Sequence, residues 1–124
     1  MSDLRSELGQ RGEKLAEGFL RKQGMKTVAR RYRTPVGELD LVMREGETIV
    51  FVEVKTQRDT RYQEPQERVR ADKRRKLLKA ARWFVAQKPW ADPPCRFDIV
   101  AVTLPEVGEP RIVHFADAFV PQRW

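Results

Sequence analysis

From residue 38 to residue 55 the chain reads Glu-Leu-Asp-Leu-Val-Met, then Arg44-Glu45-Gly46-Glu47, then Thr-Ile-Val-Phe-Val-Glu-Val-Lys. Two runs of β-forming residues about a polar stretch with a glycine specify an antiparallel hairpin, the glycine supplying the turn. Apolar residues fall on both of its faces. Val50, Val52 and Val54 share one side with Leu39 and Leu41; Ile49 and Phe51 share the other with Glu53 and Lys55, and Val42 lies beside Asp40. A strand apolar on both faces must be covered on both. The hairpin is therefore expected inside a sheet with helices packed above and below.

The flanking sequence supplies those helices. Over residues 4–23, Leu8, Leu15, Ala16, Phe19 and Leu20 fall on one side at 100° per residue, and Gly24 follows as a stop. Residues 27–33 read as a short strand and 35–37 as a turn. After a polar loop through Pro65, residues 66–88 place Leu77, Leu78, Ala81, Phe84 and Val85 on one helical arc, which Pro89, Pro93 and Pro94 end. Residues 96–104 and, past a turn at 106–110, residues 111–115 complete the strands. The expected order is α-β-β-β-α-β-β: one α/β domain over residues 1–124, a mixed sheet flanked by helices.

Lys and Arg number 25 against 18 Asp and Glu, a formal charge of +7. That surplus favours a polyanionic partner through counterion release, nucleic acid being the commonest. Cys95 is the single cysteine, which excludes an intramolecular disulfide and any CxxC site. The opening Met1-Ser2-Asp3-Leu4-Arg5 leads into a charged helix with no apolar signal region. A cytoplasmic protein with no membrane partner is expected.

With the hairpin turning about Gly46-Glu47, Asp40 and Glu53 stand opposite each other, each six residues from the turn. Directly opposed residues project to one face, and residues two apart share it. Glu38, Asp40, Glu53 and Lys55 are thus expected to converge. Two opposed carboxylates repel, which makes them a poor structural device and a good cage for a hard divalent cation. Such an ion holds a scissile phosphate and acidifies water, while a neighbouring lysine neutralises charge as phosphorus becomes five-coordinate. An isolated Val-Glu-Val-Lys string would read as an ordinary half-exposed strand. Here the charged residues close a strand buried on both sides, where ionisable groups usually have a task.

The run Gly37-Glu38-Leu39-Asp40-Leu41-Val42 followed by Val50-Phe51-Val52-Glu53-Val54-Lys55 resembles the PD-(D/E)xK signature as it occurs in the YraN-like family of small bacterial proteins, relatives of the archaeal Holliday junction resolvases. Further matching blocks are Gly12-Glu13, Arg31-Tyr32-Arg33, Lys73, Arg96-Phe97-Asp98-Ile99-Val100 and Ala118-Phe119. The resemblance implies a restriction-endonuclease-like fold in which Asp40, Glu53 and the Val54 carbonyl bind Mg²⁺ or Mn²⁺, Lys55 is the catalytic lysine, and Glu13 completes the acidic cluster. Two positions depart from the family pattern. Leu39 stands where Ile is more usual, and Gln63-Glu64-Pro65 where relatives tend to carry Gly.

Other residues carry weaker signals. Glu38 begins its strand beside Gly37 and suits pairing with Lys55 as well as direct metal ligation. Lys73, one turn before Leu77, is placed to touch a phosphate or the carboxylates, or to lay its stem over the core. Arg31 and Arg33, with Arg30 and Tyr32, suggest a basic patch able to stack on bases, although arginines also protect strand edges. Trp83, Phe84 and Trp90 read as packing. His114, the single histidine, argues against zinc and against a histidine-based nuclease. The expected activity is a metal-dependent endonuclease acting on DNA in preference to RNA, with branched or flapped structures suggested by the resolvase kinship. A homodimer would suit a four-way junction. The alternative is a nucleic-acid-binding module that keeps the nuclease fold and does not cut.

Overall fold

The computed structural model describes residues 4–58 and 71–119. Their elements follow the expected order: α1 (Leu4–Lys22), β1 (Lys26–Thr34), β2 (Gly37–Glu45), β3 (Thr48–Gln57), α2 (Ala71–Ala86), β4 (Cys95–Thr103) and β5 (Arg111–Phe119). The Gln63-Glu64-Pro65 departure and the expected helical residues 66–70 lie outside the described residues.

Local chemistry accounts for the element ends. Helix α1 closes on Gly24 at φ 101°, with the Met25 N–H on the Leu20 carbonyl and the Gly24 N–H on the Arg21 carbonyl. This is a Schellman cap, and Leu20 and Met25 meet in the core beneath it. Gly46, at φ 60°, takes the left-handed conformation that a tight hairpin turn requires. Helix α2 ends at Ala86, and turns through Gln87 and Lys88 lead to Pro89.

The five strands lie in the order β1-β2-β3-β4-β5. All neighbours are antiparallel except β3 and β4, which are parallel and joined through α2. The sheet is mixed and carries one helix on each face, as in a restriction-endonuclease-like layout. On the α2 face Val42, Ile49, Phe51, Phe97 and Ile99 meet Leu77, Ala80, Ala81 and Phe84. On the α1 face Leu41, Met43, Val50, Val52, Val100 and Val102 meet Ala16 and Leu20. Strand β3 is therefore buried from both sides. Side chains of the size of Phe84 and Phe97, both fully buried, contribute about 2–3 kcal/mol each by removal from water.

Two details differ from expectation. Leu39 packs on the α2 face with Val42 and Phe51, opposite to Leu41. Alternation breaks at Asp40, across from Arg31, whose φ of 44° interrupts β1. Strand β5 also continues beyond Phe115 to Phe119. It passes an irregularity at which Asp117 takes φ 54° and its N–H donates to buried Asp98 at 2.9 Å. No described helix is long and apolar enough to cross a membrane.

Candidate active site

The hairpin register is the one that a turn at Gly46-Glu47 dictates, from Glu45 opposite Thr48 out to Leu41 opposite Val52. There the β2–β3 ladder stops, one step short of Asp40 and Glu53. Strand β3 goes on pairing with β4 as far as Gln57 and Thr103. In the notch between the strands, Asp40 Oδ2 accepts the Val54 N–H at 2.9 Å. The N–H and C=O of one strand residue point to the same edge, so the Val54 carbonyl also faces the notch.

Glu53 is 6% exposed. Its Oε1 takes the Lys73 ammonium at 2.6 Å and the Lys55 ammonium at 3.3 Å. Lys73 reaches it from the first turn of α2, which packs over the same face of the sheet. Of the contacts open to Lys73, the one with a pocket carboxylate, Glu53, is present. Glu13, Asp40, Glu53, Val54, Lys55 and Lys73 all line one cleft of about 400 Å³.

Glu13 enters this cleft because α1 lies unusually close to β3. A Cβ at Gly12 would overlap the side chain of Thr56, so only glycine allows the helix to seat there. Glu13 is held by Arg31, whose Nε donates to its Oε1 at 2.6 Å. One turn along α1, Glu17 accepts from Arg30 Nε at 2.8 Å and from the Thr27 hydroxyl at 2.6 Å. These bonds, that of Arg30 foremost, hold the Glu17 carboxyl below its ordinary range despite burial.

Some expected neighbours are elsewhere. Glu38 pairs with Arg33 at 3.4 Å on the surface and not with Lys55, because the break at Asp40 ends the face-sharing that regular alternation would give. Tyr32 offers no free stacking platform: its ring meets Phe84 edge-on at 4.7 Å and Trp83 at 6.1 Å. Trp90 packs on Phe84, as a core role requires. Burial pushes the Cys95 thiol up to about 11, which makes it a poor nucleophile.

The pocket's charges are strongly coupled. Burial, then the Glu53 charge, pushes the Asp40 carboxyl up to about 7, against the opposing Val54 hydrogen bond. Burial and the nearby Lys73 draw Lys55 below its ordinary range. For Lys73 burial, the largest single effect, acts in the same direction, but Glu53, Lys55 and Asp40 together outweigh it and raise the group. A carboxyl in such surroundings gains from any cation it can share with Glu53. Asp40, Glu53 and the Val54 carbonyl form an oxygen donor set that fits Mg²⁺ or Mn²⁺. Among the described residues no group of three His, Cys, Asp or Glu side chains is placed to hold one ion.

The sequence reading missed two buried carboxylates. Glu17 lies one helical turn from Glu13 on α1, and this spacing was its only signal. Asp98, fully buried, takes Arg96 Nε at 3.0 Å and His114 Nε2 at 2.7 Å along with the Asp117 N–H. Its signal was a single carboxylate inside the apolar run Phe97 to Val102. His114 therefore has a structural partner in Asp98.

Comparison with known proteins gives a consistent picture. The model of the uncharacterised protein family UPF0102 matches residues 12–102, a span that includes Glu13, Asp40, Glu53, Lys55, Lys73 and Asp98. A UPF0102 protein of Syntrophotalea carbinolica is 44% identical over 124 residues, 100% of both chains. One of Syntrophomonas wolfei is 44% identical over 116 residues, 94% of this chain and 100% of the relative. One of Geobacter sulfurreducens is 42% identical over 112 residues, covering 90% and 88%.

Proposed function

The chain belongs to the UPF0102 family, the YraN-like family its motifs resemble, and from the chemistry of the notch we propose that it is a divalent-metal-dependent endonuclease hydrolysing phosphodiester bonds in DNA. The observation that carries this reading is the placement of Asp40, Glu53, Lys55 and Lys73 around one cleft at the point where β2 leaves β3. Buried Glu53 is already met by Lys73 and Lys55, whereas half-buried Asp40 beside it is pushed up to about 7, and a divalent cation shared between the two would relieve that.

Asp40, Glu53 and the Val54 carbonyl would hold Mg²⁺ or Mn²⁺. The bound ion supplies Lewis acidity toward a phosphoryl oxygen and lowers the pKa of water at the site. Lys55 and Lys73, both anchored on Glu53 Oε1, would place positive charge where a phosphodiester gains negative charge in its transition state. Glu13, which lines the same cleft, orients water or completes the acidic cluster. The chain-wide surplus of +7 gives affinity through dispersed phosphate contacts, which weaken steeply as salt rises. Branched or flapped DNA is the substrate structure suggested by the resolvase kinship.

One observation favours the second reading, a nucleic-acid-binding module that does not cut: among the described residues no group of three His, Cys, Asp or Glu side chains is placed to hold one ion. A panel of labelled duplex, flap, single-stranded and four-way DNA, incubated with Mg²⁺ or Mn²⁺ beside an Asp40→Ala control, separates the two. Cleavage by the wild type and none by the control is the expected result. Binding without cleavage across the panel makes the protein a binding module.

A further inference from the structure

We propose that Arg31 is a positioning residue of this cleft: its left-handed backbone turns the guanidinium onto Glu13 and so holds that carboxylate beside Asp40. The inference rests on the nuclease reading and deepens it. Successive side chains of an extended strand point to opposite faces, yet Arg30 and Arg31 both reach α1, Arg30 on Glu17 and Arg31 on Glu13. Glu13 and Glu17 are four residues apart on α1, on one face of the helix. Consecutive arginines can meet them only because Arg31 adopts φ 44°.

That conformation is costly for a residue with a Cβ. The ion pair it makes possible has an arginine side chain 44% exposed, and solvent-screened pairs of this kind return little stability. Fold stability alone therefore does not account for the strain, and strain of this sort collects at functional sites. The neighbours indicate which function. The β1–β2 register pairs Arg30 with Leu41 and Tyr32 with Leu39, leaving Arg31 and Asp40 facing each other across the break. Arg31, Glu13 and Asp40 line one cleft, and Glu13 and Asp40 also line the cleft that holds Glu53 and Lys55. Arg31 thus acts on the site through Glu13, and its guanidinium is not a spare phosphate contact.

The test is a double-mutant cycle of Arg31→Gly and Glu13→Gln, read by cleavage rate, by DNA affinity with Ca²⁺ in fluorescence anisotropy, and by melting. Glycine tolerates this backbone conformation without strain and removes the whole arginine side chain, guanidinium included. The expected Arg31→Gly protein melts no lower than wild type and binds DNA within about twofold of it, but loses about tenfold or more in kcat; the double variant is no slower than Glu13→Gln alone. Losses that multiply in the double variant, a fall of about tenfold in DNA affinity for Arg31→Gly, or a clear drop in its melting temperature would each overturn the proposal. A wild type that binds DNA and cuts none of it removes the nuclease reading, and the Arg31 proposal with it.

Discussion

Asp40 Oδ2 accepts the Val54 N–H at 2.9 Å, so a side chain takes a bond that a continued strand would have supplied from its backbone. This substitution ends the β2–β3 ladder while β3 runs on beside β4. It keeps the Val54 amide satisfied and leaves the Val54 carbonyl facing the same notch. The candidate site exists because the two strands part at this residue.

Asp40→Asn, Glu53→Gln and Lys55→Ala are each expected to abolish cleavage while the fold persists and DNA binding is largely retained. The carboxylates act on charge that develops in the transition state, whereas affinity comes from dispersed Lys and Arg contacts. Gel assays of cleavage beside anisotropy measurements of binding check this. Cleavage that survives at Asp40 and Glu53 variants sinks the assignment.

Without divalent ions, stability should fall as pH rises from about 4 toward 7. The folded-state pKa of Asp40, about 7, lies above the ordinary 3.8. The folded chain therefore holds a proton that the unfolded chain has released. Its stabilising effect is fully present below the unfolded value and is lost as pH passes the folded one. The effect is on the order of 4 kcal/mol. Melting curves in EDTA across this range should slope downward for the wild type and flatten for Asp40→Asn, which should also melt higher at pH 8. A wild-type curve that is flat or rises over this interval contradicts the burial of an uncompensated Asp40.

Gly12→Ala should destabilise the protein by about 1–3 kcal/mol, because the added methyl overlaps Thr56 and forces α1 off β3. Since Glu13 is the next residue, cleavage should drop further than the stability loss alone explains. Denaturant unfolding and activity at a temperature well below the melting point are the measurements. An unchanged midpoint would mean that the close approach of α1 to Thr56 does not persist in solution.

Asp98→Ala should cost roughly 3 kcal/mol, since it takes the acceptor from His114 and from the Asp117 N–H and leaves Arg96 with Glu45 alone. Hydrogen exchange should accelerate along β5 ahead of the rest of the sheet. Loss spread evenly over all five strands would argue against this local tie.

The order of elements, the cap at Gly24, the hairpin register and the burial of β3 on both faces were legible in the amino-acid order. Each follows from short-range rules: helical and strand periodicity, and the φ freedom of a glycine at a turn. That Asp40 and Glu53 flank the end of the β2–β3 ladder followed by counting outward from Gly46, although the ladder stops one step before it would pair them. The break at Asp40, the opposite facings of Leu39 and Leu41, and the diversion of Glu38 to Arg33 depended on a left-handed arginine, and nothing local requires a non-glycine residue to adopt that conformation. Lys73 on Glu53, Arg31 on Glu13 and His114 on Asp98 join residues 16 to 20 positions apart on different elements. Propensity fixes which element a residue lies in. How closely two elements approach is decided by packing, here by the space that Gly12 leaves for Thr56, and the contacts that build the cleft follow from that distance.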